Sequence, residues 1–357
     1  MSESKKQNVL FLIENISRIG GTEKAVISLA KILVASLRFR VSILSVESSV
    51  ESSEENKIYE VPDEIKIIHL NCHERFFRKY GILKKKISEI NNLEKIDYLV
   101  SSGHNFSCFL LPRFSKWIKC VACEHINRSM VSFSKRILQR FVYSKLYKIV
   151  VLTEKEKHSY QFLKSNVIVI PNSVEKAEDF SAQRKPKNII LAAGRLVPIK
   201  GFDILINAIS KIKDSLKNYE VRICGSGFLK DKLQWQVEKL GLKEIVKILP
   251  AHDLRDEYAA AKIFVLPSRE EPFGLVLIEA MRSGVPCVAF SSSGPDFIFE
   301  NDEEILVKCD ENLLGERIKK LISDNALCER ICKKQNAYLE KFSVEKIGRM
   351  WLEQVFC

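Results

Sequence analysis

The sequence predicts an α/β protein of two doubly wound, Rossmann-like domains, and three observations carry that prediction. The chain has 357 residues, enough for two domains with cores of their own. Short apolar runs alternate with helical segments along its length, the pattern of parallel strands buried on both faces. Residues 172–188 carry Pro186, many charges and few apolar side chains, so they read as a linker between two such series. The expected domains are 1–172 and 173–341, followed by a helical segment, 342–357, in which Phe342, Ile347, Met350, Trp351 and Val355 are partly periodic.

Taken in order, residues 8–13 form the first strand. A loop ending Gly20-Gly21 leads into an amphipathic helix with Ala25, Leu29, Ile32 and Leu33 toward the core. Strand, glycine loop and helix make a Rossmann opening, but no G-x-G-x-x-G supports a dinucleotide site. A tight turn with Thr22 capping the helix is an equal reading of the same residues. Val41–Val46 and Ile65–Leu70 are strands on either side of a Ser- and Glu-rich surface loop, 47–60. Lys79–Ile96 is a basic helix. Tyr98–Ser102 is a strand ending at Gly103-His104-Asn105, and Ile118–Cys123 one ending at Glu124-His125. His104 reads as structural. Ile149–Thr153 and Val167–Ile170 complete the first series. In the second, strand 188–193 precedes Gly194-Arg195-Leu196-Val197-Pro198-Ile199-Lys200-Gly201, Glu220–Cys224 precedes Gly225-Ser226-Gly227, and Ile245–Leu249 precedes Ala251-His252-Asp253-Leu254.

Composition narrows the class. Hydrophobic residues make up 46% and charged residues 29%, an ordinary globular balance. No apolar run approaches the roughly 20 residues needed to span a bilayer. Val9–Ile13 is too short for a signal-peptide core and Glu14 follows it, so a cytosolic protein is expected. Cys120 and Cys123 form a C-x-x-C without a second pair, and they read as buried, reduced thiols.

The most informative stretch runs from Ser268 to Pro286. Strand-like runs at Ile263–Leu266 and Val285–Phe290 enclose a helix, with Pro272 expected at its first position and Gly284 at its stop. That unit puts a helix N-terminus at the carboxyl end of a parallel sheet, where anions and nucleotides bind. Glu271 at the entrance and Glu279, at most about 12 Å further along the axis, fit a ligand laid along the helix. A carboxylate accepts two hydroxyl hydrogen bonds, as from a ribose or hexose. Without their neighbours, Glu279 is an exposed helix acid and Glu271 a favourable N-terminal charge.

The neighbours are Ser268-x-x-Glu271-x-Phe273-Gly274-Leu275-x-x-x-Glu279-Ala280-Met281-x-x-Gly284-x-Pro286. Together they resemble the signature of the retaining glycosyltransferases of family 4, of the bacterial surface-polysaccharide type. Gly194-Arg195-Leu196-x-x-x-Lys200-Gly201 is similar to a second motif of that family, in the same order. Pro272 and Ala251 stand where the family usually has Gly, and Ser293 replaces the first Gly of its Gly-Gly-Pro turn, here Ser292–Ile298. The resemblance covers nearly the whole chain and is strongest from Ile189 to Pro295.

The resemblance implies a GT-B fold, two Rossmann-like domains facing across a cleft, with the last helix crossing back onto an acceptor-side first domain. It implies that a hexose or N-acetylhexosamine passes from a nucleoside diphosphate, UDP ahead of GDP, to a hydroxyl of a lipid-linked saccharide. Surface polysaccharide, lipopolysaccharide and O-antigen are the expected products. Arg195, Lys200, Glu271 and His125 are the implied catalytic residues. Arg195 and Lys200 hold the diphosphate, because a departing diphosphate develops charge that fixed cations stabilise. Glu271 and the amides of Phe273, Gly274 and Leu275 hold the donor sugar, and Glu279 the ribose. Gly225 and Gly227 lie beneath the nucleotide, and His252 and Leu254 hold the base by backbone contacts. His125 contacts donor sugar or acceptor, and Gly20 and Gly21 approach the donor phosphates or the acceptor. No Asp-x-Asp metal motif is present, so neither metal nor other cofactor is expected, and no nucleic acid partner. Two rivals stay open, a UDP-sugar 2-epimerase on the same architecture and a non-catalytic nucleotide-sugar-binding protein.

Charge adds a location. Nearly all of the formal excess of +12 falls in residues 1–172. Lys84-Lys85-Lys86, with Arg75, Phe76, Phe77, Arg78 and Lys79 before them, fits an anionic membrane surface. A solvated basic helix is the alternative. The expectation is peripheral association with the inner face of the cytoplasmic membrane.

Overall fold

A computed structural model describes residues 6–18, 20–47, 60–163, 166–174 and 186–357. The chain divides into two compact units, Met1–Ser173 with Val344–Cys357, and Val174–Ser343. Most of the expected loop 47–60 and of the expected linker 172–188 lies outside the described residues.

In the first unit, β1 (Gln7–Ile13), α1 (Gly21–Ala35), β2 (Phe39–Ser45), β3 (Lys66–His69), α2 (Phe76–Leu93) and β4 (Tyr98–Ser102) come first. They are followed by α3 (His104–Phe109), β5 (Lys119–Cys123), α4 (Phe133–Val142), β6 (Lys148–Val151), α5 (Glu154–His158) and β7 (Val167–Val169). The strands pair in parallel in the order β3-β2-β1-β4-β5-β6-β7. The unbroken apolar run of β1 suits its central place. Val9, Phe11 and Ile13 enter one core and Leu10 and Leu12 the other, so the sheet is covered on both faces. Cys120 and Cys123 are buried, unbridged thiols on β5, as the sequence suggested.

The second unit contains β8 (Ile189–Ala193), α6 (Phe202–Lys211), β9 (Glu220–Cys224), α7 (Lys230–Lys239), β10 (Val246–Leu249), α8 (Arg255–Ala260) and β11 (Ile263–Leu266). It continues with α9 (Leu275–Arg282), β12 (Cys287–Phe290), α10 (Ser293–Phe299), β13 (Leu306–Val307), α11 (Glu311–Ser323) and α12 (Asn325–Leu339). Its parallel sheet has the order β10-β9-β8-β11-β12-β13, which reverses between β8 and β11. The loops after those two strands therefore meet at the carboxyl edge, the usual ligand position in such sheets. The Arg269 N–H donates to the Ile199 carbonyl at 2.8 Å and ties them together.

The last helix, α13 (Val344–Gln354), belongs to the first unit. Ile347, Trp351, Val355 and Phe356 join the core that holds Phe11. Phe342 stays in the second unit, its ring centroid 5.6 Å from that of Phe273, so the return begins at residue 344 and not at 342. Among the described residues no helix is long and apolar enough to cross a membrane.

Candidate active site

Three loops at the carboxyl edge of the second sheet carry most of the residues singled out above. The loop after β8 is anchored by Leu196, which is fully buried, and leaves Arg195 exposed. Pro198–Lys200 then make one tight helical turn. From it the Lys200 Nζ reaches Glu271 Oε2 in the loop after β11, at 2.5 Å. Glu271 is only 6% exposed, and the same oxygen accepts from Ser268 Oγ at 3.0 Å. A carboxylate this buried needs such donors, since removing one partner of a buried pair is strongly destabilising. Lys200 is thus a cation held in place by its own anion. Arg195 stands outside that pair.

The expected helix start is corrected. Helix α9 begins at Leu275 with Gly274 as its N-cap, so Pro272 and Glu271 belong to the preceding loop. Gly274 has φ +98°, which side-chain-bearing residues resist, and a Cβ there would stand 3.2 Å from Leu277. That left-handed residue, not the proline, sets the boundary. The loop is pinned from the other side by α10, where the Gly294 N–H donates to the Glu271 carbonyl at 2.8 Å. The expected Gly-Pro turn at Ser292–Ile298 is accordingly the first part of a helix. The stop at Gly284 is as expected: Gly284 N–H bonds to Met281 O and Val285 N–H to Ala280 O, both at 2.9 Å. Phe273 is 3% exposed, so its ring anchors the loop and only its backbone is available to a ligand. Glu279 is half-buried on α9, and its Oε2 accepts from the Tyr258 hydroxyl at 3.1 Å.

The other two second-unit motifs have structural duties as well. A Cβ on Gly225 would lie 1.9 Å from the Gly194 carbonyl oxygen, so this glycine lets the loops after β8 and β9 close on each other. His252, after β10, places Nδ1 2.9 Å from the Pro250 carbonyl oxygen and Nε2 3.4 Å from Glu257 Oε1. Leu254 is the N-cap residue of α8.

In the first unit, His125 follows β5. The residue is half-buried, but Nε2 is enclosed and has no hydrogen-bond partner among the described residues. Burial lowers its pKa to about 4, so the ring is neutral near pH 7. With Glu124 it lines a small cavity of about 30 Å³. Glu124 is 2% exposed, and burial pushes its carboxyl up to about 7 although the Tyr143 hydroxyl donates to Oε1 at 2.6 Å. His104 opens α3, and burial first, then Lys135, lower its pKa. Gly20, not Thr22, is the N-cap of α1. A Cβ at Gly20 would lie 2.5 Å from Glu23 Oε2, so a carboxylate of the first turn already folds back over this helix end.

The structure thus joins Lys200 to Glu271 and supplies three groups that the sequence reading missed. Ser268 was visible as the first residue of the signature but had no assigned task. Glu124 stood beside His125, with nothing in the sequence to mark its burial. Tyr258 carries no local signal, because its partner Glu279 is 21 residues away.

Two α/β units with parallel sheets, each reversing its strand order once, make this a GT-B protein. Residues 173–338 match the family model for glycosyl transferases group 1. Similarity to glycosyltransferases extends over nearly the whole chain. It is 28% identical to an uncharacterized glycosyltransferase of Haemophilus influenzae, over 96% of this chain and 98% of the relative. It is 24% identical to a Campylobacter jejuni protein, over 97% of this chain and 98% of that one. The latter is named for alpha-1,4-N-acetyl-D-galactosaminyl transfer to a GalNAc-GalNAc-diNAcBac-PP-undecaprenol. Among solved structures, Anabaena HepE in complex with UDP and glucose superposes with a TM-score of 0.79 at 19% identity, covering 98% of this chain and 99% of its own.

Proposed function

We propose that the chain is a retaining transferase that moves a hexose or N-acetylhexosamine from a nucleoside diphosphate to a hydroxyl of a lipid-linked saccharide. UDP is favoured over GDP, and surface polysaccharide or lipopolysaccharide is the product class. The observation that carries the reading is the Lys200–Glu271–Ser268 cluster at the strand-order reversal, beside the glycine-capped start of α9. Lys200 and Arg195 stabilise the diphosphate as the sugar–phosphate bond breaks. Glu271 and the amides of Phe273, Gly274 and Leu275 hold the donor sugar. Glu279, steadied by Tyr258, takes the ribose hydroxyls, and the backbone at His252 and Leu254 holds the base above Gly225 and Gly227. In the first domain, neutral His125 and the amides of Gly20 and Gly21 serve sugar or acceptor. The two cations stand in the role a metal would otherwise fill, and the leaving phosphate takes the acceptor's proton. The undecaprenol-linked substrate in one relative's name and the UDP and glucose of the Anabaena complex support this choice of ligands.

The same reading places the protein peripherally on the inner face of the cytoplasmic membrane. Helix α4 supports this more than the basic cluster on α2. It exposes Phe133, Ile137 and Phe141, at 71%, 46% and 65%, four residues apart on one stripe beside Arg136 and Arg140. On α2, Phe76 packs against Tyr80 and Phe109, leaving Phe77, Lys84 and Lys85 exposed.

The test is transfer from a panel of UDP- and GDP-sugars to short lipid-linked saccharides, with the anomeric configuration of the product read by NMR. The expected outcome is a UDP-sugar consumed much faster with acceptor present than by hydrolysis alone, and a product of unchanged anomeric configuration. Inverted product, or conversion of the donor to its 2-epimer without acceptor, contradicts the reading.

A further inference from the structure

Cys224, His252 and Glu257 meet at the carboxyl edge of the second sheet. Cys224 ends β9 and pairs in register with Leu249 of β10. The chain then turns through His252 into α8, whose first turn holds Glu257. One ligand atom from each of the three, a thiol sulfur, an imidazole nitrogen and a carboxylate oxygen, lies within 4.8 Å of the others.

The imidazole is the informative member. Nδ1 lies 2.9 Å from the Pro250 carbonyl oxygen, which can only accept, so Nδ1 carries a proton. In the neutral ring Nε2 is then a lone pair, and it faces Glu257 Oε1 at 3.4 Å. A lone pair and a carboxylate oxygen at that distance repel, and positive charge between them relieves the repulsion. A second ring proton is one answer. A metal ion is another, with Cys224 Sγ completing its ligand set. The 3.4 Å separation is close to the edge, about 3.3 Å, of a tetrahedron whose N and O ligands stand about 2.0–2.1 Å from zinc. Both ligands also have outer partners that fix them, the Pro250 carbonyl on Nδ1 and Arg222 Nη1 on Glu257 Oε2 at 2.9 Å. Thiolate, carboxylate and neutral imidazole balance a divalent charge, while Arg222 is matched by Glu220.

We propose that Cys224, His252 and Glu257 bind a thiophilic divalent cation of the zinc class, with a fourth position left open by the half-exposed His252. The soft sulfur selects against magnesium and calcium. Burial pushes the Cys224 thiol up to about 12, so the cation must displace its proton, and affinity rises with pH. The site shares His252, whose backbone the sugar-transfer reading gives to the base, but the test uses neither donor nor acceptor.

Cobalt(II) is the probe, added to the chelator-treated full chain under a phosphine reductant at pH 8. The background is Cys309→Ser/Cys357→Ser, which removes the two exposed thiols. One equivalent should give a thiolate-to-cobalt charge-transfer band that one equivalent of zinc abolishes and excess magnesium leaves intact. Cys224→Ser should lack the band. His252→Ala and Glu257→Gln should keep it but require at least about tenfold more cobalt; both residues lie outside the core, so these variants serve even if Cys224→Ser does not fold. Absence of the band at stoichiometric cobalt overturns the proposal. So does its survival in Cys224→Ser, or unchanged affinity in both other variants; a proton on His252 then explains the close approach.

Discussion

Lys200→Ala removes a cation that serves both Glu271 and the proposed diphosphate, and the two losses have different sizes and readouts. For folding, Glu271 at 6% exposure keeps, among the described residues, only the Ser268 hydroxyl as a side-chain donor. Breaking a buried pair on one side costs about 3–5 kcal/mol. In a domain of this size each kcal/mol lowers Tm by about 2–4 °C, so a fall of about 6–20 °C is expected. For catalysis, losing one charge-stabilising donor should lower kcat by roughly 10²–10³. The double variant Lys200→Ala/Glu271→Gln, read against Glu271→Gln alone, separates the two effects. A neutral amide no longer needs the lysine, so the melting temperature should return toward wild type while kcat stays low. The assay pairs thermal unfolding with kcat for transfer and for donor hydrolysis at saturating donor. If the single variant keeps kcat within threefold of wild type, Lys200 does not stabilise the leaving group. If the double variant regains activity together with stability, the lost rate was only a disordered loop.

Arg195→Ala should lower kcat by a similar roughly 10²–10³ with little change in Tm, because Arg195 is exposed; a wild-type rate removes it from the site. Glu279→Gln should weaken free UDP by up to about 1.5–3 kcal/mol, Tyr258→Phe by less because it acts through Glu279, and Glu271→Gln hardly at all. Equal losses by calorimetry for the two glutamates contradict their separate roles. Glu124 has its folded pKa raised to about 7 from 4.5, so its stabilising contribution is complete below pH 4.5 and is lost as pH rises through 7. His125, lowered to about 4 from 6.5, contributes above pH 6.5 and loses that as pH falls through 4. Between these limits the two slopes offset, so Glu124→Gln should gain roughly 2 kcal/mol on wild type from pH 5 to pH 7 in urea unfolding; parallel profiles refute the burial argument. Charge reversal of Arg136 and Arg140 with serine at Phe133 and Phe141 should reduce co-sedimentation with anionic vesicles, at about 1 kcal/mol per charge, more than glutamate at Lys84, Lys85 and Lys86 does. Binding should weaken with salt, and equal binding to neutral vesicles contradicts the membrane reading.

The strands and motif loops were legible because a parallel sheet writes itself as apolar runs and its phosphate-side loops as glycines. β4 falls on Tyr98–Ser102, as expected, and both sheets follow the doubly wound pattern. The start of α9 was misread because Pro272 is a strong local signal, whereas the deciding feature is the left-handed backbone of Gly274, fixed by α10 packing over the loop. Thr22 lost the cap of α1 to Gly20 for a similar reason, a first-turn glutamate folding back on the helix end. Helix α4 went unremarked although its apolar residues recur four apart like a core face; only Gln139 of it is buried, so that stripe faces outward. The Lys200–Glu271 pair joins residues 71 apart, and no local periodicity encodes that meeting. Both partners were named from their motifs, but their contact was not.

The most direct measurement is calorimetric titration of UDP into the wild-type protein, Glu279→Gln and Lys200→Ala, at one salt concentration and without added metal. One nucleotide should bind per chain, and both variants should bind at least about tenfold more weakly, in keeping with loss of a charged hydrogen bond. No binding to the wild type, or the same affinity in all three proteins, contradicts a donor site at the strand-order reversal of the second domain.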